Sequence, residues 1–167
     1  AMIKAILIIN NHGRPRLLKF YEYLDEKQQQ VAIRDLYALL SKRPDTVCNF
    51  VEGSSLSVWG SDVRIIYRHY ATLYFVFVVD GSESELGILD LIQVFVETLD
   101  RCFENVAELD LIFHSTQVHH ILDEVIMGGM VLETSMPDIL RATREMVKLE
   151  KSQPQARPQA VKLQRHT

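Results

Sequence analysis

The sequence predicts an α+β domain built on one five-stranded antiparallel sheet with helices on both faces. Three observations carry that expectation. The strand-like stretches come in runs joined by short links, which favours antiparallel pairing, and a single helix divides them into two and three. Residues 71–79, Ala-Thr-Leu-Tyr-Phe-Val-Phe-Val-Val, are mostly apolar at odd and even positions alike, as a central strand covered on both sides must be. The longest helical stretch, 84–103, is apolar over too wide an arc to be covered from one direction.

Taken in order, residues 3–9 are a short β-branched run that the turn cluster Asn10-Asn11-His12-Gly13 ends. Residues 16–23 form a second strand, close enough to make a hairpin. Asp25 opens a helix, with Gln28 three residues on giving a partial capping-box pattern. Ile33, Leu36, Tyr37 and Leu40 fall at i, i+3, i+4 and i+7 and give one core-facing stripe. Pro44 stops this helix by steering Arg43 out of helical angles.

Residues 47–52 read as a short strand, 53–62 as a Gly/Ser-rich loop holding Trp59, and 63–70 and 71–79 as two more strands. In the helix over 84–103, Leu86, Leu89, Ile92, Val96, Leu99 and Phe103 make one stripe, and Ile88, Leu91, Phe95 and Cys102 a second. A helix over 115–127 turns Val118, Ile121, Leu122, Val125 and Ile126 inward, with Gly128-Gly129 as its stop. Ser135 with Asp138 caps a last helix to about residue 151. The expected order is ββαβββααα, one domain over 1–150, with a flexible basic tail over 151–167.

With 47% hydrophobic and 24% charged residues the chain buries a real core, which excludes global disorder. The net charge of −4 divides into about −8 for residues 1–150 and +4 for the tail, so the body does not invite nucleic acid. Cys48 and Cys102 make no disulfide framework and no CxxC pair, as expected of a reducing cytosol. No apolar run reaches membrane-spanning length, so the expected location is cytoplasmic, with any membrane reached through partners.

No GxGxxG, Walker A, HExxH, GxSxG or CxxC pattern occurs. His119 and His120 are adjacent and diverge by roughly 100° on a helix, so they do not chelate one ion together. Glu83, Glu85 and Asp90 fall in the first turns of a helix, where acids complement its dipole. The expectation is a protein without catalytic residues, metal or cofactor. Arg14 and Arg16 stand on and just after the hairpin turn, and they read either as a solvated turn or as a clamp for carboxylate or phosphate.

A resemblance enters with several stretches that keep their order along residues 2–150. Met2-Ile3-Lys4-Ala5-Ile6-Leu7-Ile8, residues 66–75 (Ile-Tyr-Arg-His-Tyr-Ala-Thr-Leu-Tyr-Phe), Phe95-Val96-Glu97-Thr98-Leu99, residues 105–111 (Asn-Val-Ala-Glu-Leu-Asp-Leu) and 128–134 resemble the sigma, or small, subunits of the heterotetrameric clathrin-adaptor-type complexes. The insertion at 53–62, residues 82–90 and the Met127-Gly128-Gly129-Met130 turn look most like the sigma subunit of adaptor complex three. The resemblance implies a longin fold. It also implies a vesicle-coat subunit that braces a large, delta-type subunit, with beta and mu subunits in a heterotetramer. Such a subunit helps bind acidic dileucine signals, [DE]xxxL[LI], on cargo tails in transport between Golgi or endosomes and lysosome- or vacuole-related organelles. Its location would be peripheral, on Golgi and endosomal membranes and coated vesicles. The other reading is a longin-type subunit of a tethering or SNARE-like assembly without cargo binding.

Carried over by position, the family's leucine pockets fall at Ala71, Leu73, Val96, Asn105, Val106 and Leu111, and its basic contact at Arg16. Ala71 and Leu73, two apart on one expected strand, would share a face. Without the resemblance, Ala71, Leu73 and Val96 read as core. The expectation is a groove between the sheet and the longest helix, apolar at one end and cationic at the other, that a larger subunit closes.

Overall fold

The computed structural model describes residues 3–44, 50–52, 56, 58–60, 62–81 and 84–131. Their elements run β1 (Ile3–Asn10), β2 (Pro15–Phe20), α1 (Glu26–Ser41), β3 (Phe50–Glu52), β4 (Val63–Tyr70), β5 (Leu73–Asp80), α2 (Glu85–Phe103), α3 (Glu108–Phe113) and α4 (Ser115–Val131). The sheet is antiparallel with strand order β2-β1-β5-β4-β3, so the two most hydrophobic strands sit side by side at its centre. Pro15, which donates no ladder bond, begins the edge strand β2, where that loss is tolerated.

Alternation along the central strands divides the core in two. Ile6 and Ile8 of β1 and Phe75 and Phe77 of β5 face α2 and α4, where Phe95 meets Phe75 edge to face at 5.9 Å. Ala5, Leu7 and Ile9 with Val76 and Val78 face the other layer, made of Ala32, Leu36 and Leu40 of α1. Leu56 and Trp59, from the loop before β4, tuck into that second layer. The domain is thus a sheet between two helical layers, the longin-like architecture expected.

The capping box of α1 forms as its sequence requires: the Gln28 N–H donates to Asp25 Oδ1 at 2.7 Å, and the Asp25 N–H donates to Gln28 Oε1 at 3.0 Å. Elsewhere the elements depart from expectation. Strand β2 ends at Phe20 rather than 23, leaving Tyr23 exposed. On α1, Ala32 takes the buried place expected of Ile33, while Tyr37 is half-buried and donates its hydroxyl to the Asn11 carbonyl at 2.9 Å.

Ala71 is not in a strand. It and Thr72 form the two-residue turn between β4 and β5, with Ala71 at φ 52°, since Tyr70 pairs directly with Leu73. Leu86 is exposed, because the buried arc of α2 runs through Ile88, Leu91, Ile92, Phe95, Val96, Thr98 and Leu99. Gly128 and Gly129 do not stop α4, which continues to Val131. The six-residue α3 was not expected at all. The helix expected over 135–151 and the tail over 151–167 lie outside the described residues, as do positions 47–49 of the third strand.

The difference between a buried and an exposed leucine on α2 is measurable. Leu99→Ala, at a fully buried position, is expected to cost about 2–5 kcal/mol. Leu86→Ala is expected to stay within about 0.5 kcal/mol. Urea denaturation of the two variants checks the assignment.

Candidate functional site

The hairpin between β1 and β2 is built to hold Asn10. Gly13 has φ 83°, a conformation that disfavours other residues, and a Cβ there would stand 2.9 Å from the Tyr37 ring. The Gly13 N–H donates to the Asn10 carbonyl at 3.0 Å and the Asn10 N–H to the Arg14 carbonyl at 2.9 Å. Asn10 Oδ1 accepts from the backbone N–H of His12 and of Arg14, both at 2.9 Å. That use of the oxygen orients the amide nitrogen outward. Asn10 is 3% exposed, and its Nδ2 donates to Glu108 Oε1 at 2.9 Å.

Glu108, the first residue of α3, collects donors from three separate parts of the fold. Arg16 Nε donates to Oε1 at 2.8 Å, Asn10 Nδ2 shares that oxygen, and Thr72 Oγ1 donates to Oε2 at 3.3 Å. The Arg16 hydrogen bond, then that of Asn10, holds the Glu108 carboxyl below its ordinary value near 4.5, against a smaller opposing effect of burial. Around this carboxylate lies an open cleft of about 550 Å³ bordered by Asn10, His12, Arg14, Arg16 and Glu108.

A second knot fixes the link between α2 and α3. Helix α2 ends where Glu104 and Asn105 take φ 51° and 74°, with the Asn105 N–H bonded to the Asp100 carbonyl at 3.0 Å. Asp100 Oδ1 accepts the Val106 N–H at 3.0 Å, and Oδ2 accepts the Tyr70 hydroxyl at 2.6 Å. That bond is the main cause that raises the Tyr70 phenol above its ordinary value of 10. The end of β4 and the α2–α3 link are therefore tied together, and Val106 is pinned over the core.

The seven positions singled out from the sequence divide accordingly. Leu73, Val96, Val106 and Leu111 do come together, in one apolar cluster under α2 and α3. They are 1%, 2%, 4% and 1% exposed, so the apolar end of the expected groove is filled by the chain's own side chains. Arg16 is half-buried and already paired with Glu108. Asn105 is exposed in the α2–α3 link. Ala71, also exposed, shares no strand face with Leu73, because it stands in the turn. Asn10, Thr72, Glu108, Asp100 and Tyr70 were not foreseen. Asn10 also bonds within its own hairpin and Asp100 to Val106 six residues on, but the Asn10–Glu108, Thr72–Glu108 and Tyr70–Asp100 bonds span 98, 36 and 30 residues, and no local spacing announces those.

His119 is half-buried, and burial with nearby Lys19 holds it below its ordinary value. Among the described residues there is no group of three or more His, Cys, Asp or Glu placed to hold a metal, and no helix long and apolar enough to cross a membrane.

The model of the clathrin adaptor complex small chain matches residues 2–150. The chain belongs to that family. Among its relatives, the AP-3 complex subunit sigma-2 of Homo sapiens is 64% identical over 152 residues, covering 91% of this chain and 78% of the relative. The AP-3 complex subunit sigma of Dictyostelium discoideum is 61% identical over 154 residues, covering 91% and 90%. That of Arabidopsis thaliana is 54% identical over 149 residues, covering 89% of each. By structure, the chain matches one in a homology model of the full-length AP-3 complex in a stretched open conformation, with TM-score 0.71, 44% identity, and 90% and 96% of the two chains covered. Relatives and neighbour alike are adaptor subunits, which sets aside the tethering and SNARE-like reading and bears out the resemblance to adaptor complex three.

For this adaptor small chain the Glu108 cluster has a pH signature. A carboxyl held low in the folded state contributes stability above its unfolded value, and that contribution is lost as pH falls through the folded one. Wild type should therefore exceed Glu108→Gln in stability above about pH 4.5, with the gap closing as the solution is acidified further. Thermal melts of both proteins across that range measure it.

Proposed function

We propose that this chain is the sigma subunit of an AP-3-type adaptor complex, bracing a delta-type large subunit within a heterotetramer and contributing to recognition of acidic dileucine signals. The observation that carries the cargo role is the junction between charge and grease. Asn10, which touches the same carboxylate as Arg16, is the register partner of Leu73, so the cationic notch and the apolar cluster meet at one end of the β1–β5 pair. A peptide with an acid ahead of two leucines has that same pairing of chemistries. The complex would work on the cytoplasmic side of Golgi and endosomal membranes, passing cargo toward lysosome- or vacuole-related organelles.

The bracing role draws support from an uncovered surface. Leu109, Ile112 and Phe113 fall at i, i+3 and i+4 on α3 and are 62%, 45% and 74% exposed. An apolar stripe of this kind on a charged body favours a protein partner. The magnitudes suit a coat. Two leucine side chains buried at roughly 1.5–3 kcal/mol each, less the cost of ordering the peptide, leave affinity near the micromolar range. Several such contacts on one membrane add through effective concentration.

One observation favours the narrower reading, bracing without cargo. The four apolar residues are packed, so a dileucine peptide must part the α2–α3 link from the β4–β5 turn to reach them. Binding assays separate the two readings. In the complex assembled with its large subunit, Arg16→Glu is expected to weaken an acidic dileucine peptide about tenfold or more while assembly stays intact. Val96→Asp should abolish the same binding, at greater risk to the core. Unchanged peptide affinity in both would leave bracing alone. Separately, Phe113→Asp should reduce co-purification with the large subunit, and undiminished recovery would remove α3 from that interface.

A further inference from the structure

The Glu108 cluster has the anatomy of a carboxylate receptor that already holds a carboxylate. Asn10 is 3% exposed and is fixed by two backbone donors so that its amide N–H points outward. Arg16 adds a charged donor from β2, and Thr72 a hydroxyl from the β4–β5 turn. The three donors come from separate segments and converge on one carboxylate, at the rim of an open cleft. Glu108 itself is not locked in: its side chain retains 28% exposure. Leu111, one turn along α3 and 1% exposed, anchors the helix independently of it. The carboxylate can therefore leave by side-chain rotation while α3 stays in place.

We propose that Glu108 is a built-in occupant of a carboxylate socket formed by Asn10, Arg16 and Thr72, and that the acidic residue of a bound peptide takes over those donors by displacing it. The proposal rests on the dileucine reading above and deepens it. It makes Glu108 a specificity-determining residue. The peptide's acid gains nothing from meeting an empty arginine; it exchanges with a carboxylate already paired there. The acid then acts as a selector, because a peptide with a neutral residue at that position leaves Glu108 seated on its three donors. Arg14, exposed on the same rim, can receive the displaced Glu108 or pair with a second acid of the peptide.

The test uses the complex with its large subunit and two synthetic peptides, one with the signal's acid as Glu and one with Gln in its place, titrated by calorimetry. Glu108→Gln keeps an acceptor for Asn10 and Thr72 and removes the competing charge. It is expected to tighten the Glu peptide by roughly 3–10-fold, the scale of a half-exposed ion pair, and to move the Gln peptide less than about twofold. Adding Arg16→Gln to Glu108→Gln should cancel the gain. Co-purification of each variant with the large subunit shows that it is folded. An unchanged Glu-peptide affinity in Glu108→Gln, or equal weakening of both peptides, overturns the displacement and leaves Glu108 a structural pair. Absence of binding by wild type and Glu108→Gln alike, to both peptides, overturns the cargo reading itself and this inference with it.

Discussion

Strands β1 and β5 pair side by side at the middle of the sheet, and between them they bury nearly every side chain on both faces. Alternation then dictates a layer on each side. Ile6, Ile8, Phe75 and Phe77 need one helical layer, and Leu7, Ile9, Val76 and Val78 need another. Helices α2 and α4, with Leu111 of α3, answer the first demand, while α1 with Leu56 and Trp59 answers the second. The edge strands can then be short, as β3 is, or begin with a proline, as β2 does. Polar chemistry is pushed to where this pair runs out.

That end is where the cluster around Glu108 forms. Asn10 is the last residue of β1, Leu73 the first of β5, and the turn carrying Thr72 closes immediately beyond. Asn10 gives its oxygen to its own hairpin and its nitrogen to α3, so one buried amide joins the sheet to the helical layer. Asp100 does the same from the opposite side, taking the Tyr70 hydroxyl and the Val106 N–H. Two buried or half-buried polar residues thus hold a loop pair that apolar packing alone would leave free to slide. A partner pressing on α3 presses on both knots.

The fold was legible because its signals are local. Periodicity placed β1, β4 and α2 within a residue or two of their observed limits, and Asp25 with Gln28 announced the start of α1 correctly. The failures have physical causes. Nothing in Ala71 advertises a turn residue with positive φ, and its apolar neighbours extend the strand pattern through it. Gly128 and Gly129 lower helix propensity but do not forbid a helix that packs Val118, Ile121, Leu122 and Val125 against α2. A six-residue helix such as α3 is too short to show a period. Of the candidate site, the four residues that gather were legible as a set only through family resemblance; by pattern alone Leu73 and Val96 read as core, and core is where all four lie. Glu108 was invisible because its meaning depends on a residue 92 positions away.

An arginine already paired changes the energetics of the proposed recognition of an acidic peptide. On the proposed exchange, one carboxylate leaves the Arg16 guanidinium as another arrives, so the charges nearly cancel in the free energy and desolvation of the arginine is not paid twice. Net attraction then has to come from the leucines, whose sites are closed until the α2–α3 link yields. Acid and leucines address neighbouring parts of one helix: Glu108 begins α3, and Leu111 on the same helix faces the apolar cluster. A peptide offering both groups meets both barriers together, whereas one offering either alone meets a seated Glu108 or a packed core. Specificity of the proposed kind would need no high affinity, and it would be obtained from contacts that stabilise the unliganded chain.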